Sequence, residues 1–426
     1  MHILDVLKER GFIAQTTFED ELYKQLEEPT TFYVGFDPTA DSLHIGHYIP
    51  IMAMAHMQRA GHRPIALMGG GTAMIGDPSG KTDMRKMMTV ETIDHNVECI
   101  KQQMSRFLDF SDEKAIIVNN ADWLRNLNFI EFMRDIGAMF SVNKMLTADC
   151  YKTRMATDNG LSFLEFTYML MQSYDFLKLY RDHDCILQVG GSDQWSNMLG
   201  GYELVRRKED AKVYSMTIPL LVNADGVKMG KSMGNAVWLD ENKTSPFDLY
   251  QYFRNVDDRD VKKFMLQLTF LSLDEIDKIT SEEDINRQKE ILAYEITKDV
   301  HGKEAADQAI ETARKLFSGK MDLENMPAFE IERAKIADGI GILSLMVEAG
   351  LAKSNGEARK LIQGGGVSID DEKITDPQLN LTADKFDQEF VIKKGKKTFL
   401  KITAKYILKT KSTPVLKADL LFLNFK

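Results

Sequence analysis

Long apolar runs and a secretion signal are both missing from this 426-residue chain. No apolar stretch is long enough to cross a bilayer, which excludes a protein built on membrane-spanning helices. The N-terminal segment MHILDVLKER carries charges from its fifth residue and has no small-residue cleavage site. We therefore expect a cytosolic protein with no membrane partner.

Cysteine is scarce and scattered. Cys99, Cys150 and Cys185 are odd in number and never form a C-x-x-C pair, which argues against a disulfide framework or a cysteine zinc site. The eight histidines contain no H-E-x-x-H pattern. We expect no structural metal.

Charge is unevenly distributed along the chain. The net charge is -10, but residues 339–426 carry 15 Lys and Arg against 10 Asp and Glu, which leaves -15 on the remainder. An acidic body with a basic C-terminal region is typical of a protein that contacts RNA through selected surfaces.

The order of elements predicts an α/β protein. β-rich runs at 30–36, 63–70, 115–122 and 185–194 alternate with helical stretches, which predicts a Rossmann-like parallel sheet with ligands at its carboxyl ends. The predicted divisions are a catalytic domain (1–220), a loop and linker (221–246), an α-helical domain (247–325), a linker (326–338), a small α+β RNA-binding domain (339–405) and an uninterpreted tail (406–426).

Two short motifs point to nucleotide chemistry. In YVGFDPTADSLHIGHYIP, His44 and His47 open a helix whose unpaired backbone N–H groups favour phosphate, and Gly46 leaves space for an adenine ring. In VKMGKSMGN, Lys228 and Lys231 can neutralise departing pyrophosphate. Alone, the first motif is also compatible with an ordinary helix start and the second with a solvated turn, but both in this order are hard to obtain by chance.

The pair of motifs resembles the HIGH and KMSKS signatures of the class I aminoacyl-tRNA synthetases. Here they span His44–His47 and Lys228–Ser232. The third position of the second motif is Gly230 instead of serine, a departure that occurs in the tyrosyl enzymes.

A polar stripe follows one face of the apolar segment 161–180. Tyr168, Gln172 and Asp175 are spaced by four and three residues, so one helix face carries all three. The stripe predicts a pocket for a small ligand with a polar tip, with Tyr33, Asp77 and Gln194 from other segments completing it. The alternative is that these groups bond to each other or to distant backbone.

Over residues 1–405 the chain resembles the bacterial-type tyrosyl-tRNA synthetases, in the blocks YVGFDPTADSLHIGH, IGDPSGK, EFTYMLMQSYDF, QVGGSDQW and KMGKS. The resemblance implies that Tyr33 and Asp175 bind a substrate phenol, and that the amino-group end is held by Asp77, Tyr168 and Gln172, with Gln188 and Gln194 beside it. It implies nucleotide contacts from Gly35, Asp37, Gly46, Gly191 and Asp193. It implies transition-state contacts from Thr39, His44, His47, Lys228, Lys231 and Ser232, and pyrophosphate contacts from Lys81 and Arg85.

The same resemblance implies the partners. These are L-tyrosine, ATP with Mg²⁺ carried by its phosphates, tRNA(Tyr) and a second copy of the chain in a homodimer, with no tightly bound cofactor. The segment 351–374 resembles the alpha-L RNA-binding fold of a small-subunit ribosomal protein, with Lys353, Arg359 and Lys360 toward phosphate. Further basic contacts are predicted at Lys393, Lys394, Lys396 and Lys397, where a solvated turn is the alternative, and at Arg206 and Arg207 for the acceptor stem.

Three other functions remain open from the sequence. A tryptophanyl-tRNA synthetase would share the fold and both signatures but lack the basic tail and the surroundings of Asp175. A nucleotidyltransferase that uses no tRNA would not need residues 339–405. A non-catalytic RNA-binding protein on a synthetase scaffold would not need the lysine loop or a complete pocket.

Overall fold

The computed structural model describes residues 1–79, 87–158, 160–229, 236–317, 326–370, 372–395 and 398–405. The chain divides into two compact units, Met1–Ala313 and Arg314–Lys426. Among the described residues, no helix combines the length and apolarity needed to span a membrane.

A six-stranded sheet forms the centre of the first unit. Its strands are β1 (Gln15–Thr16), β2 (Thr31–Phe36), β3 (Arg63–Met68), β4 (Ile116–Asn119), β5 (Leu187–Gly191) and β6 (Tyr214–Ile218). They lie in the order β1-β6-β5-β2-β3-β4, with β2 to β6 parallel and β1 antiparallel at the edge. Every residue of β6 is buried, as expected for a parallel strand covered on both faces. The four predicted strand runs are confirmed as β2, β3, β4 and β5.

Among the described residues between 3 and 209, ten α-helices accompany this sheet. They are α1 (Ile3–Glu9), α2 (Glu19–Gln25), α3 (Ile45–Arg59), α4 (Val90–Met104), α5 (Ala121–Leu124), α6 (Phe129–Asp135), α7 (Val142–Met145), α8 (Asp149–Met155), α9 (Phe163–His183) and α10 (Trp195–Glu209). The predicted apolar helix is α9, which begins at a capping box between Ser162 and Glu165. Glu165 also pairs with Arg154 from α8 in an ion pair that is almost fully buried.

A group of helices follows the sheet. These are α11 (Pro246–Arg254), α12 (Val261–Leu268), α13 (Leu273–Thr280), α14 (Ile285–His301) and α15 (Lys303–Phe317). The Arg10 guanidinium, just after α1, donates to the carbonyl oxygens of Leu266 at 3.0 Å and Thr269 at 3.1 Å, and so caps the end of α12. The predicted helical segment therefore packs into the same compact unit as the sheet up to residue 313.

The second unit has its own sheet and core. The elements are β7 (Ala328–Glu332), β8 (Ile340–Gly341), α16 (Ile342–Glu348), α17 (Asn355–Gln363), β9 (Val367–Ile369), β10 (Glu372–Lys373), β11 (Asn380–Leu381), β12 (Phe390–Lys394) and β13 (Thr398–Lys405). Five strands pair in the order β10-β9-β12-β13-β7, and β8 pairs with β11. The aliphatic side chains of Ile342, Leu345 and Ile362 lie in the core beneath them.

One predicted division differs from the structure. Residues 326–338 were expected to form a linker, but they contain β7, which pairs in parallel with β13 over five residues. β7 alternates exposed side chains with the partly buried Phe329 and the buried Ile331, as an edge strand with one face on the core does, but a run of five residues is a weak signal for a strand in the sequence.

Candidate active site

A cavity of about 520 Å³ opens at the carboxyl ends of the parallel strands. It lies where the strand order reverses: β2 is flanked by β3, the next strand in the chain, on one side and by β5 on the other. Parallel α/β sheets bind ligands at such switch points because the loops from the two strands diverge there. The volume falls within the range of roughly 300–1,000 Å³ typical of small-molecule sites.

The cavity brings together the predicted site residues from five separate segments. Those that line it are Tyr33, Gly35, Asp37, Thr39, His44, Gly46, His47, Asp77, Tyr168, Gln172, Asp175, Gln188, Gly191, Asp193, Gln194 and Lys228. The other predicted members, Lys81, Arg85, Lys231 and Ser232, lie outside the described residues.

The deep end of the cavity contains Tyr33 and Asp175. Tyr33 is 1% exposed and Asp175 is 2% exposed. Burial raises the pKa of the Asp175 carboxyl to about 7. Burial, and then the charge of Asp175, raise the pKa of Tyr33 well above its ordinary value, so this phenol remains a hydrogen-bond donor. Its hydroxyl has no hydrogen-bond partner among the described residues, an arrangement that favours a polar ligand atom beside it.

Two residues that the sequence did not single out hold Asp175 in place. The Asn120 side-chain amide donates to one carboxylate oxygen at 2.9 Å, and the Trp123 indole N–H donates to the other at 2.7 Å. Both donors lower the pKa of Asp175 against the effect of burial. Asn120 directly follows β4, and Trp123 lies in the short helix α5 just beyond it. The position of these polar groups after a predicted strand is the one sequence feature that points to them. Among the described residues, the partners of Asp175 are therefore side chains of another segment, and neither the other residues of the stripe nor backbone groups.

A second carboxylate centre consists of Asp77 and the groups that donate hydrogen bonds to it. Its carboxylate accepts from the Ser79 backbone N–H at 2.9 Å and from the Gln194 side-chain amide at 2.7 Å. Burial, and then the nearby charge of Asp37, raise its pKa to about 6. A carboxylate in this setting is stabilised by a cation, because a positive charge offsets both burial and like-charge repulsion.

The stripe on α9 faces these carboxylates. The Tyr168 hydroxyl donates to Asp37 at 3.3 Å, and Asp37 also accepts from the Thr72 hydroxyl at 3.1 Å. The Gln172 and Gln188 side-chain oxygens are buried and accept no hydrogen bond from the described residues. Two unsatisfied acceptors of this kind are suited to the N–H groups of a ligand.

The start of α3 lines another part of the cavity. His44 is the N-cap in an extended conformation, and the helix begins at Ile45 as the sequence predicted. The His44 Nδ1 atom accepts from the Gly46 N–H at 3.0 Å, and the His47 Nδ1 atom accepts from the His44 N–H at 3.3 Å. In a neutral ring, this use of Nδ1 as the acceptor leaves the proton on Nε2. The two rings stack at 3.9 Å, so two Nε2 donors are presented together.

Gly46 is required by the histidine pair itself. A Cβ atom at this position would lie 2.8 Å from the His44 ring, closer than carbon atoms approach without displacement. The role predicted for Gly46 at an adenine ring remains a prediction. Lys228 also lines the cavity. Its backbone forms an isolated antiparallel β-bridge with Val222, and the residue is exposed.

Five of the predicted RNA-contacting residues occupy exposed positions, and Lys393 and Lys394 are partly buried. Lys353, Arg359 and Lys360 are exposed at and near α17. Arg206 and Arg207 both pair with Glu203 on α10. Lys394 donates to the Leu351 carbonyl oxygen at 2.6 Å, so this lysine is committed within its unit. Lys396 and Lys397 lie outside the described residues. Within the described part of the chain, no three metal-ligating side chains converge.

Comparisons with known proteins agree on one family. The model described as "tRNA synthetases class I (W and Y)" matches residues 24–318, and "Tyrosine--tRNA ligase SYY-like C-terminal domain" matches residues 320–402. The tyrosine--tRNA ligase of Clostridium tetani is 55% identical over 94% of this chain and 98% of its own length. The tyrosine--tRNA ligase of Clostridium beijerinckii is 56% identical over 95% of this chain and all of its own length.

A solved structure gives the same result for the first unit. A C-terminally truncated mitochondrial tyrosyl-tRNA synthetase from Aspergillus nidulans superposes with a TM-score of 0.67 at 32% identity, over 74% of this chain and 94% of that one. The tyrosine-type C-terminal match distinguishes this family from the tryptophan enzymes, which share the first family model. The chain therefore belongs to the tyrosine--tRNA ligase family of class I aminoacyl-tRNA synthetases.

Proposed function

We propose that the cavity activates L-tyrosine with ATP and that the resulting tyrosyl-adenylate is transferred to tRNA(Tyr). In the first step the tyrosine carboxylate attacks the α-phosphorus of ATP and pyrophosphate leaves. In the second, the terminal ribose hydroxyl of the tRNA attacks the carbonyl carbon and AMP leaves. The substrate supplies its own nucleophile, so the protein acts by positioning and by stabilising charge.

The single observation that carries this proposal is that Tyr33 and Asp175, both almost fully buried, line the same cavity. A substrate phenol there accepts from the Tyr33 hydroxyl, which lacks a partner among the described residues. It donates to Asp175, which Asn120 and Trp123 hold in position. Phenylalanine would leave these buried groups unpaired. Tyrosyl-tRNA synthetase is the standard example of this effect, with discrimination against phenylalanine of about 10⁵.

The amino end of tyrosine is assigned to the second carboxylate centre. Asp77 takes the α-ammonium group, and Tyr168, Gln172, Gln188 and Gln194 surround it. The raised pKa of Asp77 supports this assignment, because a bound cation restores the ionised form at neutral pH.

The phosphates are assigned to the start of α3. The Nε2 donors of His44 and His47 and the N-terminus of α3 stabilise charge that develops on the phosphate oxygens. Thr39 and Lys228 line the same end, and the sequence adds Lys81, Arg85, Lys231 and Ser232. Gly35, Asp37, Gly191 and Asp193 are assigned to the nucleoside. Mg²⁺ enters with ATP and supplies charge neutralisation on its phosphates.

The tRNA is assigned to basic surfaces on both units. The exposed Lys353, Arg359 and Lys360 on the second unit favour phosphate contacts that weaken with added salt. Arg206 and Arg207 on α10 are assigned to the acceptor stem.

A homodimer is proposed from exposed apolar side chains on four consecutive helices. Large apolar side chains are exposed on each of α6 to α9: Phe129, Ile130, Val142, Met155 and Phe163. Exposure of this kind favours burial against a second protein surface. Sedimentation velocity is expected to give twice the chain mass of 48.5 kDa.

ATP–pyrophosphate exchange with each of the twenty amino acids tests the function. Tyrosine alone is expected to support exchange, and purified tRNA(Tyr) is expected to accept the tyrosine. Exchange with tryptophan alone would contradict the specificity, and no exchange with any amino acid would contradict the activity.

A further inference from the structure

Helix α4 braces the loop that connects β2 to the histidine pair. The Gln103 side-chain oxygen accepts from the Leu43 N–H at 2.8 Å, and its nitrogen donates to the Ser42 hydroxyl at 3.2 Å. At the other end of the loop, the Asn96 amide donates to the Pro38 carbonyl oxygen at 2.9 Å. One helix thus holds both ends of loop 38–43.

The spacing on α4 explains how this is possible. Asn96 and Gln103 are seven residues apart, which places them on one face of a helix, two turns and about 10 Å apart. The helix is a rigid reference for the loop because its other inward residues, Ile93, Val97 and Ile100, are buried in the core.

The groups of the loop that contact Gln103 are buried, so the loss of a hydrogen bond there cannot be compensated by water. Leu43 is fully buried and Ser42 is 1% exposed, so the Leu43 N–H cannot turn to water if Gln103 is lost. On its other side, the same stretch is held by two backbone hydrogen bonds, Leu239 N–H to Leu43 O and Ile45 N–H to Val237 O, each at 2.9 Å, and by an ion pair between Asp41 and Lys243. Leu43 directly precedes His44, and its contact with Gln103 is made by a side chain that a substitution can remove.

We propose that Gln103 and Asn96 are positioning residues for amino-acid activation, acting through loop 38–43 on Thr39 and His44. The inference rests on the proposed function. Neither residue lines the cavity as the described residues form it, so neither contacts a substrate. A displacement of His44 alters where its Nε2 donor meets the phosphate, and electrostatic stabilisation of a transition state depends steeply on such placement.

The test compares two substitutions at one site. Gln103→Met removes both hydrogen bonds while keeping side-chain length, whereas Gln103→Glu retains an acceptor for the Leu43 N–H and for the Ser42 hydroxyl. Gln102→Met, at the exposed neighbouring position, is the matched control. The rate of tyrosyl-adenylate formation is measured at saturating ATP, per tyrosine-binding site counted by equilibrium binding.

Gln103→Met is expected to lower this rate by at least tenfold with tyrosine affinity unchanged, and Gln103→Glu to remain within threefold of the wild type. Asn96→Asp, whose ionised side chain cannot donate to Pro38, is expected to lower the rate in the same way. If Gln103→Met does not fold, the rate of this second variant tests the positioning role. A wild-type rate in these variants, or an equal loss in Gln103→Glu, overturns the proposal. Failure of the wild-type protein to use tyrosine would instead overturn the proposed function.

Discussion

The two ends of the cavity are built in different ways. At the tyrosine end, Tyr33 and Asp175 project from a central strand and a long buried helix, and both are almost fully buried. At the nucleotide end, Thr39, His47 and Lys228 come from loops and a helix start and are partly or fully exposed. In the proposed function, the first end is preformed to recognise one small molecule, and the second stabilises charge that appears only during reaction.

The largest expected effect follows loss of the phenol acceptor. Asp175→Ala is expected to reduce tyrosine-dependent exchange by about 10³-fold or more, because it leaves Asn120, Trp123 and the substrate phenol without their shared acceptor. Asp182→Ala, on an exposed turn of the same helix, is the control. Unchanged exchange in a folded Asp175→Ala protein would rule out a phenol-binding role.

A substitution at the nucleotide end is expected to separate rate from affinity. His47→Asn retains a side-chain acceptor for the His44 N–H but removes the Nε2 donor. The rate of adenylate formation is expected to fall about 100-fold, as for loss of one transition-state donor, with the tyrosine Kd within twofold of the wild type. If the Kd rose as much as the rate fell, the two ends would not be functionally distinct.

The tyrosine end is also expected to respond to pH. Burial raises the folded-state pKa of Asp175 to about 7 and that of Asp77 to about 6, and both carboxyls must be ionised to pair with the substrate. Protons therefore compete with tyrosine as pH falls through 7 and then 6, and the Kd is expected to rise at least tenfold between pH 7.5 and 5.5. Equilibrium binding across this range measures it. A flat profile would contradict both assignments.

The smallest predicted effect concerns the residues that hold Asp175. Trp123→Phe keeps an aromatic ring but removes the indole N–H, so the pKa of Asp175 should rise further. The tyrosine Kd at pH 7 is expected to increase about fivefold to tenfold, which corresponds to one hydrogen bond to a charged group. The loss should shrink at pH 8.5, where the carboxyl is ionised in both proteins. A loss independent of pH would mean that Trp123 acts by packing alone.

The sequence predicted the residues whose signals are local. The strand before Phe36, the histidine turn and the stripe from Tyr168 to Asp175 each lie within one short segment, where spacing determines which face a residue occupies. The family resemblance then related these segments to one another.

The supporting contacts were not predictable in the same way. Asn120 meets Asp175 across 55 residues, and Gln103 meets Leu43 across 60, because the order of the strands brings β4 and α4 beside the site. That order is not encoded in any local pattern. Strand β7 was missed for a related reason, since its alternating pattern is only five residues long and its partner β13 lies far along the chain.

A crystal structure with a non-hydrolysable tyrosyl-adenylate analogue tests the central claim most directly. The account predicts that the phenol oxygen lies within hydrogen-bond distance of both the Tyr33 hydroxyl and an Asp175 carboxylate oxygen, with the phosphate at the start of α3 beside His44 and His47. A bound analogue whose phenol lies elsewhere in the cavity, or whose orientation is reversed, would contradict it.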